Sequence, residues 1–141
     1  MNSPAAGQVC PPRRYTHSRV ALFRFSAVSW NAHRIHYDGE FAASEGFPDV
    51  VVQSTLHGEM LVRCALDWSG PGARLEGVSW RNRATAVAGE PLTWTATVTA
   101  VEPAAQGQRV SLEVSVLKDD GTACVTGTVE LTRPGGPAPA P

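Results

Sequence analysis

The sequence has few of the features that mark specialised classes of protein. It holds only 3 cysteines in 141 residues, and Cys10, Cys64 and Cys124 are too far apart for a CxxC pair or a structural zinc site. An odd number at unrelated spacings does not fit a disulfide framework either. We therefore interpret Cys64 and Cys124 as small core residues and expect a cytoplasmic protein.

Long apolar runs and an excess of charge are also lacking. No run approaches the ~18–20 apolar residues that span a bilayer, and the first residues lack the apolar core of a secretory signal. There are 12 Lys and Arg against 13 Asp and Glu, which gives a net charge of −1, and the basic residues are scattered. We expect neither a membrane nor a nucleic acid as a partner.

The composition along the chain predicts one domain with a tail at each end. Residues 1–14 are rich in Pro and Ala, and residues 134–141 read PGGPAPAP. Such segments bury too little apolar surface to become ordered, so both are predicted to be disordered tails. The remaining residues, 15–133, have a length that suits one hydrophobic core.

Patterns of apolar residues predict the elements of this domain. The aromatic and branched run Val20–Val28 predicts a strand. Helical spacing then predicts one long helix, capped by Ser54 or Thr55 and ended by Gly70, with these apolar positions: Leu56, Met60, Leu61, Cys64, Ala65 and Trp68. Gly58 inside a helix costs about 1 kcal/mol relative to alanine, which a close contact would explain.

The residues after Gly72 show the period of two that is typical of strands. We predict four strands in meander order, over LEGVSWRN, PLTWTATVTAV, RVSLEVSVL and ACVTGTVELT, with turns between them. The expected fold class is α+β, with an antiparallel sheet wrapped around one long central helix.

The segment from Ser29 to Asp38 is the one most suited to chemistry, because it places two imidazoles, an amide and a carboxylate close together. It reads W-N-A-H-R-I-H-Y-D from Trp30, and it resembles the motif of the MaoC-like hydratase/dehydratase family. The most similar branch contains the type-2 hydroxyacyl-thioester dehydratases and the 3-methylfumaryl-CoA (mesaconyl-C4-CoA) hydratases, with F-N-x-H-x-I-H-Y/W-D. The resemblance runs from about Tyr15 to Thr132 and implies a single hot-dog fold.

The resemblance also implies roles for two residues of the motif. His36 would be the acid and base, since an imidazole titrates near neutral pH. Asn31 stands where the wider family has Asp, and an amide can orient a water molecule but cannot act as a base. We interpret His33 as structural, and His57 as a partly exposed residue near the helix start.

In the family, the start of the central helix supplies the oxyanion hole, with the sequence V-x-H-G-P-L. This chain has Gln53, Ser54 and Thr55 in place of His, Gly and Pro. The resemblance implies that the Ser54 amide faces the thioester oxygen, with Gln53 and Thr55 beside the substrate. The departure leaves the substrate shape and the reaction open.

Further candidates concern the carrier of the substrate. Arg81 and Arg83 follow a strand and could contact the phosphates of coenzyme A or phosphopantetheine. His33 and His36 lack a third ligand at a suitable spacing, so we expect no metal. No nucleotide-binding motif is present, and no cofactor is expected besides the carrier.

The expected activity is that of a hydro-lyase, which adds or removes water at C3 of a 2-enoyl or 3-hydroxyacyl thioester. The carrier is CoA or an acyl carrier protein. Two alternatives stay open: a hot-dog thioesterase, isomerase or cyclase that uses the same pocket, with Glu59 as the candidate carboxylate, and a non-catalytic acyl-binding subunit. A single hot-dog unit leaves open sheet edges, so we expect a homodimer or a multiple of one.

Overall fold

A computed structural model describes residues 3–135 of this chain. The helices are α1 (Arg19–Ser29), α2 (Gly39–Ser44) and α3 (Ser54–Ser69), with a 3₁₀ turn at Arg34–His36. The strands are β1 (Arg13–Tyr15), β2 (Arg74–Asn82), β3 (Leu92–Ala104), β4 (Gly107–Lys118) and β5 (Ala123–Arg133). Of the predicted C-terminal tail, residues 136–141 lie outside the described residues.

The strands form one antiparallel sheet in the order β1-β3-β4-β5-β2. The predicted alternation is clear in β4, where the buried residues are Val110, Leu112, Val114 and Val116. The α+β class, with an antiparallel sheet and one long helix, is confirmed. The full meander is wrong, because β2 pairs with β5 and residues 83–91 carry the chain across to β3.

Helix α3 lies against β2, β3, β4 and β5 and forms the centre of the core. The predicted helix is present, but the N-cap is Gln53, and Ser54 lies inside the first turn. The predicted capping by Ser54 or Thr55 is therefore wrong. Gly58 is explained by a close contact, since a Cβ atom there would lie 2.5 Å from the Trp80 ring.

The predicted strand Val20–Val28 is wrong, because these residues lie in helix α1. Ser18 starts the helix, with its hydroxyl accepting a hydrogen bond from the Ala21 N–H at 3.1 Å. Only Leu22 and Ser26 are buried in α1, four residues apart on one face. Composition favoured a strand, whereas the cap and the burial period favour a helix.

The N-terminal segment extends the sheet. The N–H groups of Gly7 and Cys10 donate to the carbonyls of Val98 and Ala96 at 2.8 and 2.9 Å, and β1 pairs with β3. Cys10 is buried, with 1% of its surface exposed. A disordered tail over residues 1–14 is thus not observed for residues 7–14, because the backbone supplies the pairing that the composition does not show.

Candidate active site

The candidate site begins where α1 ends. Trp30 adopts a left-handed conformation with φ 54°, and the N–H groups of Trp30 and Asn31 both bond to the Ser26 carbonyl. This conformation costs roughly 1–3 kcal/mol in a bulky residue, so it needs support from its surroundings. The bend directs the chain away from α1 and into the loop that carries His36.

His36 is held by the backbone of the segment that leads into α3. Its Nδ1 lies 2.7 Å from the Val51 carbonyl, and the Val51 N–H donates to the Ile35 carbonyl at 2.8 Å. Because a carbonyl only accepts, Nδ1 carries the proton and Nε2 keeps a free lone pair. Burial lowers the pKa of His36, as does the nearby His33, while the bond to Val51 opposes them. The ring is therefore a neutral base at pH 7.

Asn31 lies half-buried in the same loop. Its Oδ1 accepts a hydrogen bond from the His33 N–H at 3.3 Å. The side-chain NH₂ makes no hydrogen bond within residues 3–135. Asn31 can thus donate to a water molecule or to the substrate, while its own carbonyl is occupied.

Other residues of the motif stabilise the loop. His33 accepts a hydrogen bond from the Ile35 N–H, and Asp38 caps α2 by accepting from the Phe41 N–H. A hydrogen bond from Arg34 lowers the pKa of Asp38. These contacts agree with the structural role expected for His33.

The first turn of α3 supplies backbone donors. Ser54 is the first residue of the helix, where the N–H groups have no partner inside the helix. The Ser54 hydroxyl accepts a hydrogen bond from the Trp80 indole at 3.1 Å. Thr55 is exposed on the same turn. An anion would be stabilised here by these N–H groups and the helix dipole.

Gln53 is placed differently from the expectation. It is fully buried, and its side-chain nitrogen donates to Leu22 and Ser26 of α1. A substrate contact by Gln53 is therefore not supported, because the side chain is fully buried and bonded to α1. The sequence does not indicate this buried position, because Gln53, Ser54 and Thr55 are all polar.

His57 also differs from the expectation of a partly exposed residue. Only 3% of its surface is exposed, and burial lowers its pKa to about 4, with a further effect of His17. Its Nδ1 atom has no hydrogen-bond partner in the described part of the chain. His57 is thus a neutral core residue at pH 7.

Arg81 is not brought to this site, whereas Arg83 also lines a small cavity of about 270 Å³ together with Val51 and Val52, which precede α3. Trp80 packs on Gly58 of α3, so the next residue of β2, Arg81, points to the other face of the sheet. Arg83 donates to the Thr126 hydroxyl at 3.0 Å, and both arginines line a cavity of about 490 Å³. A phosphate contact on this outer face stays a prediction.

A shallow apolar groove of about 440 Å³ lies next to Asn31. It is lined mainly by Phe23, Ala27, Trp30 and Tyr37. Trp30 is 93% exposed and Phe23 is 58% exposed. The apolar surface beside the candidate site is thus open in a single chain.

Three contacts of the site were not predicted: the Val51 carbonyl at His36, Ser26 at Asn31 and Trp80 at Ser54. The first two use backbone atoms, which every residue possesses. Only the alternation of Val78 and Trp80 on one strand face could have indicated the third.

The chain belongs to the family of hydroxyacyl-thioester dehydratases type 2, whose model matches residues 3–88. A curated relative, the mesaconyl-C(4)-CoA hydratase of Chloroflexus aurantiacus, is 36% identical over 111 residues. The match covers 78% of this chain but only 36% of the relative. The resemblance inferred from the motif around His36 is confirmed at the level of the family.

Solved structures confirm the hot-dog fold. The (R)-hydratase from A. caviae involved in PHA biosynthesis has a TM-score of 0.84 at 21% identity, covering 95% of this chain and 100% of that one. A chain of the ChsH1-ChsH2 complex from Mycobacterium tuberculosis has a TM-score of 0.81 at 23% identity, covering 91% and 97%.

Residues 3–135 contain neither a membrane-spanning helix nor a cluster of metal-ligating side chains. No helix there is both long and apolar enough to cross a membrane. No group of three or more His, Cys, Asp or Glu side chains there could hold a metal ion.

Proposed function

We propose that the chain is a hydratase/dehydratase that adds or removes water at C3 of a 2-enoyl or 3-hydroxyacyl thioester. The observation that carries this proposal is the fixed ring of His36. Its Nδ1 is bound to the Val51 carbonyl, which leaves Nε2 as a base in the same loop as the free Asn31 amide. The hydratase name of the curated relative supports the same reaction class.

In the hydration direction, His36 is the proton carrier. A water molecule, oriented by the Asn31 NH₂, gives one proton to Nε2 while its oxygen bonds to C3. The electron pair of the C2=C3 double bond moves towards the thioester carbonyl and forms an enolate. The proton then passes from His36 to C2, and dehydration follows the same steps in reverse.

The enolate oxygen needs hydrogen-bond donors that are already in place. In this proposal they are the free N–H groups at the start of α3, with Ser54 first. The bond from Trp80 fixes the Ser54 side chain, so the orientation of this turn does not depend on substrate. Preorganised donors of this kind contribute about 3–4 kcal/mol to the transition state in other enzymes.

The thioester carrier is CoA or an acyl carrier protein. Arg81 lies on the outer face of the sheet, so in this proposal it meets only the carrier, whereas Arg83 also lines the small cavity beside Val51 and Val52 and meets the carrier closer to the site. The thioesterase alternative relies on Glu59, which is exposed on α3.

The active form in this proposal is a homodimer. Apolar side chains at or after α1 are exposed, at Val20, Phe23, Val28 and Trp30. Such a patch is typical of an interaction surface, and β2 leaves an open sheet edge. A stable dimer would bury about 2,000 Å² or more. Light scattering at micromolar concentration tests this, and an active monomer would contradict it.

The reaction is tested with a panel of enoyl- and 3-hydroxyacyl-CoA thioesters, followed by mass spectrometry in ¹⁸O-labelled water. Hydration adds one labelled oxygen to the acyl group and leaves the thioester intact. Release of free CoA would instead favour a thioesterase. Binding without turnover would favour a non-catalytic subunit.

A further inference from the structure

We propose that Gln53 is a positioning residue, which sets the direction of Asn31 relative to the start of α3. The effect on catalysis rests on the proposed hydratase function. The geometric support comes from the hydrogen bonds of the Gln53 side chain, which is fully buried.

The Gln53 amide joins two helices that are distant in sequence. Its Nε2 donates to the Leu22 carbonyl at 2.8 Å and to the Ser26 hydroxyl at 2.9 Å. The Leu22 carbonyl can only accept, so the nitrogen of the amide must face α1. The residue before α3 is thereby tied to the middle of α1.

Ser26 passes this constraint to the site. The Ser26 hydroxyl accepts a hydrogen bond from the Gln53 side-chain nitrogen, and the Ser26 carbonyl accepts hydrogen bonds from the N–H groups of Trp30 and Asn31. Trp30 is the only residue other than glycine with a positive φ in residues 3–135. A left-handed conformation in a bulky residue persists only where neighbouring groups stabilise it. The Ser26 carbonyl stabilises it here, and the hydrogen bond from Gln53 keeps Ser26 in place.

The same short segment holds the other parts of the site. Val51 fixes the ring of His36 through its carbonyl, and Ser54 follows Gln53 as the first residue of α3. Residues 51–54 therefore determine where the base, the water-orienting amide and the backbone donor lie relative to one another. Within this segment, Gln53 sets the position of the Asn31 amide through Ser26.

The unpaired atom of Gln53 argues against a role in stability alone. Its Oε1 is buried and has no hydrogen-bond partner among the described residues. A buried polar atom without a partner destabilises a fold, so an apolar side chain would serve better if packing were the only need. The site requires the side-chain NH₂ of Gln53, which donates to α1.

Gln53→Met tests the proposal, because methionine keeps the length and removes the donors. With crotonyl-CoA as the probe, we expect kcat to fall about 3- to 10-fold, no more than the loss expected when the Asn31 amide itself is removed. KM should stay nearly unchanged, because a misplaced group lowers the rate without touching the substrate. Gln53→His restores one N–H donor and should recover part of kcat. Val129→Ala, in the buried part of β5, is the control that lowers the melting temperature without lowering kcat.

A second measurement does not need turnover. In NMR spectra of Gln53→Met, the side-chain and backbone amide signals of Asn31 should shift, whereas they should not in Val129→Ala. Unchanged Asn31 signals, or a normal kcat with a lower melting temperature, would overturn the positioning role. A wild-type protein that is inactive on every thioester contradicts the proposed function instead, and the Asn31 signals still decide the role of Gln53.

Discussion

The sheet of residues 92–133 and the segment from Ser18 to Gln53 are stabilised in different ways. In the sheet, β3, β4 and β5 share long ladders of backbone hydrogen bonds over a continuous apolar face. In the N-terminal segment, single polar bonds such as those of His36 and Gln53 hold short helices and loops together. Substitutions in the two regions should therefore act on different properties: stability in the sheet, catalysis in the segment.

The largest effect is expected from His36→Ala, which removes the proton carrier. The rate should fall about 10²–10⁴-fold while the fold is retained, because the ring contributes one buried hydrogen bond and the sheet is untouched. Steady-state kinetics and circular dichroism measure the two properties. A variant with more than a tenth of the wild-type activity would remove His36 from the catalytic role.

The pH dependence of stability probes His57, which lies in α3 between the two regions. The unfolded imidazole gains its proton near pH 6.5, whereas the buried one does so near pH 4. Between these values the unfolded state binds more protons, so stability falls as the pH decreases, by up to about 3 kcal/mol. Urea unfolding between pH 4 and 7 measures this loss.

His57→Gln is the control for this titration, because the amide has no proton to gain. Its stability should change less over the same range. His17 and His36 also have a pKa lowered by burial and act in the same direction, so part of the slope should remain. Equal slopes for the wild type and the variant would show that His57 does not titrate as expected.

Gly58→Ala tests the contact between α3 and β2. Helix propensity alone predicts a gain of about 1 kcal/mol. The Cβ atom, however, would meet the Trp80 ring at 2.5 Å, so we expect a loss of about 1–3 kcal/mol. Thermal unfolding gives the sign. The double variant with Trp80→Leu should recover much of the loss, and a stabilised single variant would contradict the close packing.

The smallest effect is expected at Asn31. Asn31→Ala removes the amide that orients the water, and the rate should fall about tenfold, equivalent to about 1.4 kcal/mol. Asn31→Asp should be tolerated, since one carboxylate oxygen can accept the bond from the His33 N–H and the other can orient the water by accepting a hydrogen bond from it instead of donating one. Kinetics of both variants decide the matter, and an alanine variant with unchanged kinetics would make Asn31 a structural residue.

Sequence patterns predicted the sheet and the central helix because burial there repeats with a fixed period, as in the alternating valines of β4. The same patterns misassigned α1, whose aromatic and branched residues favour a strand although Leu22 and Ser26 face the core at helical spacing. These patterns also did not predict that β2 lies beside β5 in the sheet. Periodicity within a strand carries no information about its neighbour.

In the candidate site too, the sequence predicted some features and not others. The motif identified His36 and Asn31 as candidates, because their chemistry is specific to the side chain. The partners that orient them are the carbonyls of Val51 and Ser26, which no residue type reveals. Gln53 was assigned to the substrate because it is polar and precedes the helix, and only the tertiary packing places it in the core.

The three thiols are buried in three different parts of the molecule: Cys10 beside the edge of the sheet, Cys64 in α3 and Cys124 in β5. Burial raises the pKa of each, to about 11 for Cys10, so the native protein is slow to react with alkylating reagents at neutral pH. Each thiol becomes reactive only when its own surroundings open. Timed alkylation followed by peptide mapping would thus follow the opening of edge, helix and sheet separately in the unmodified chain.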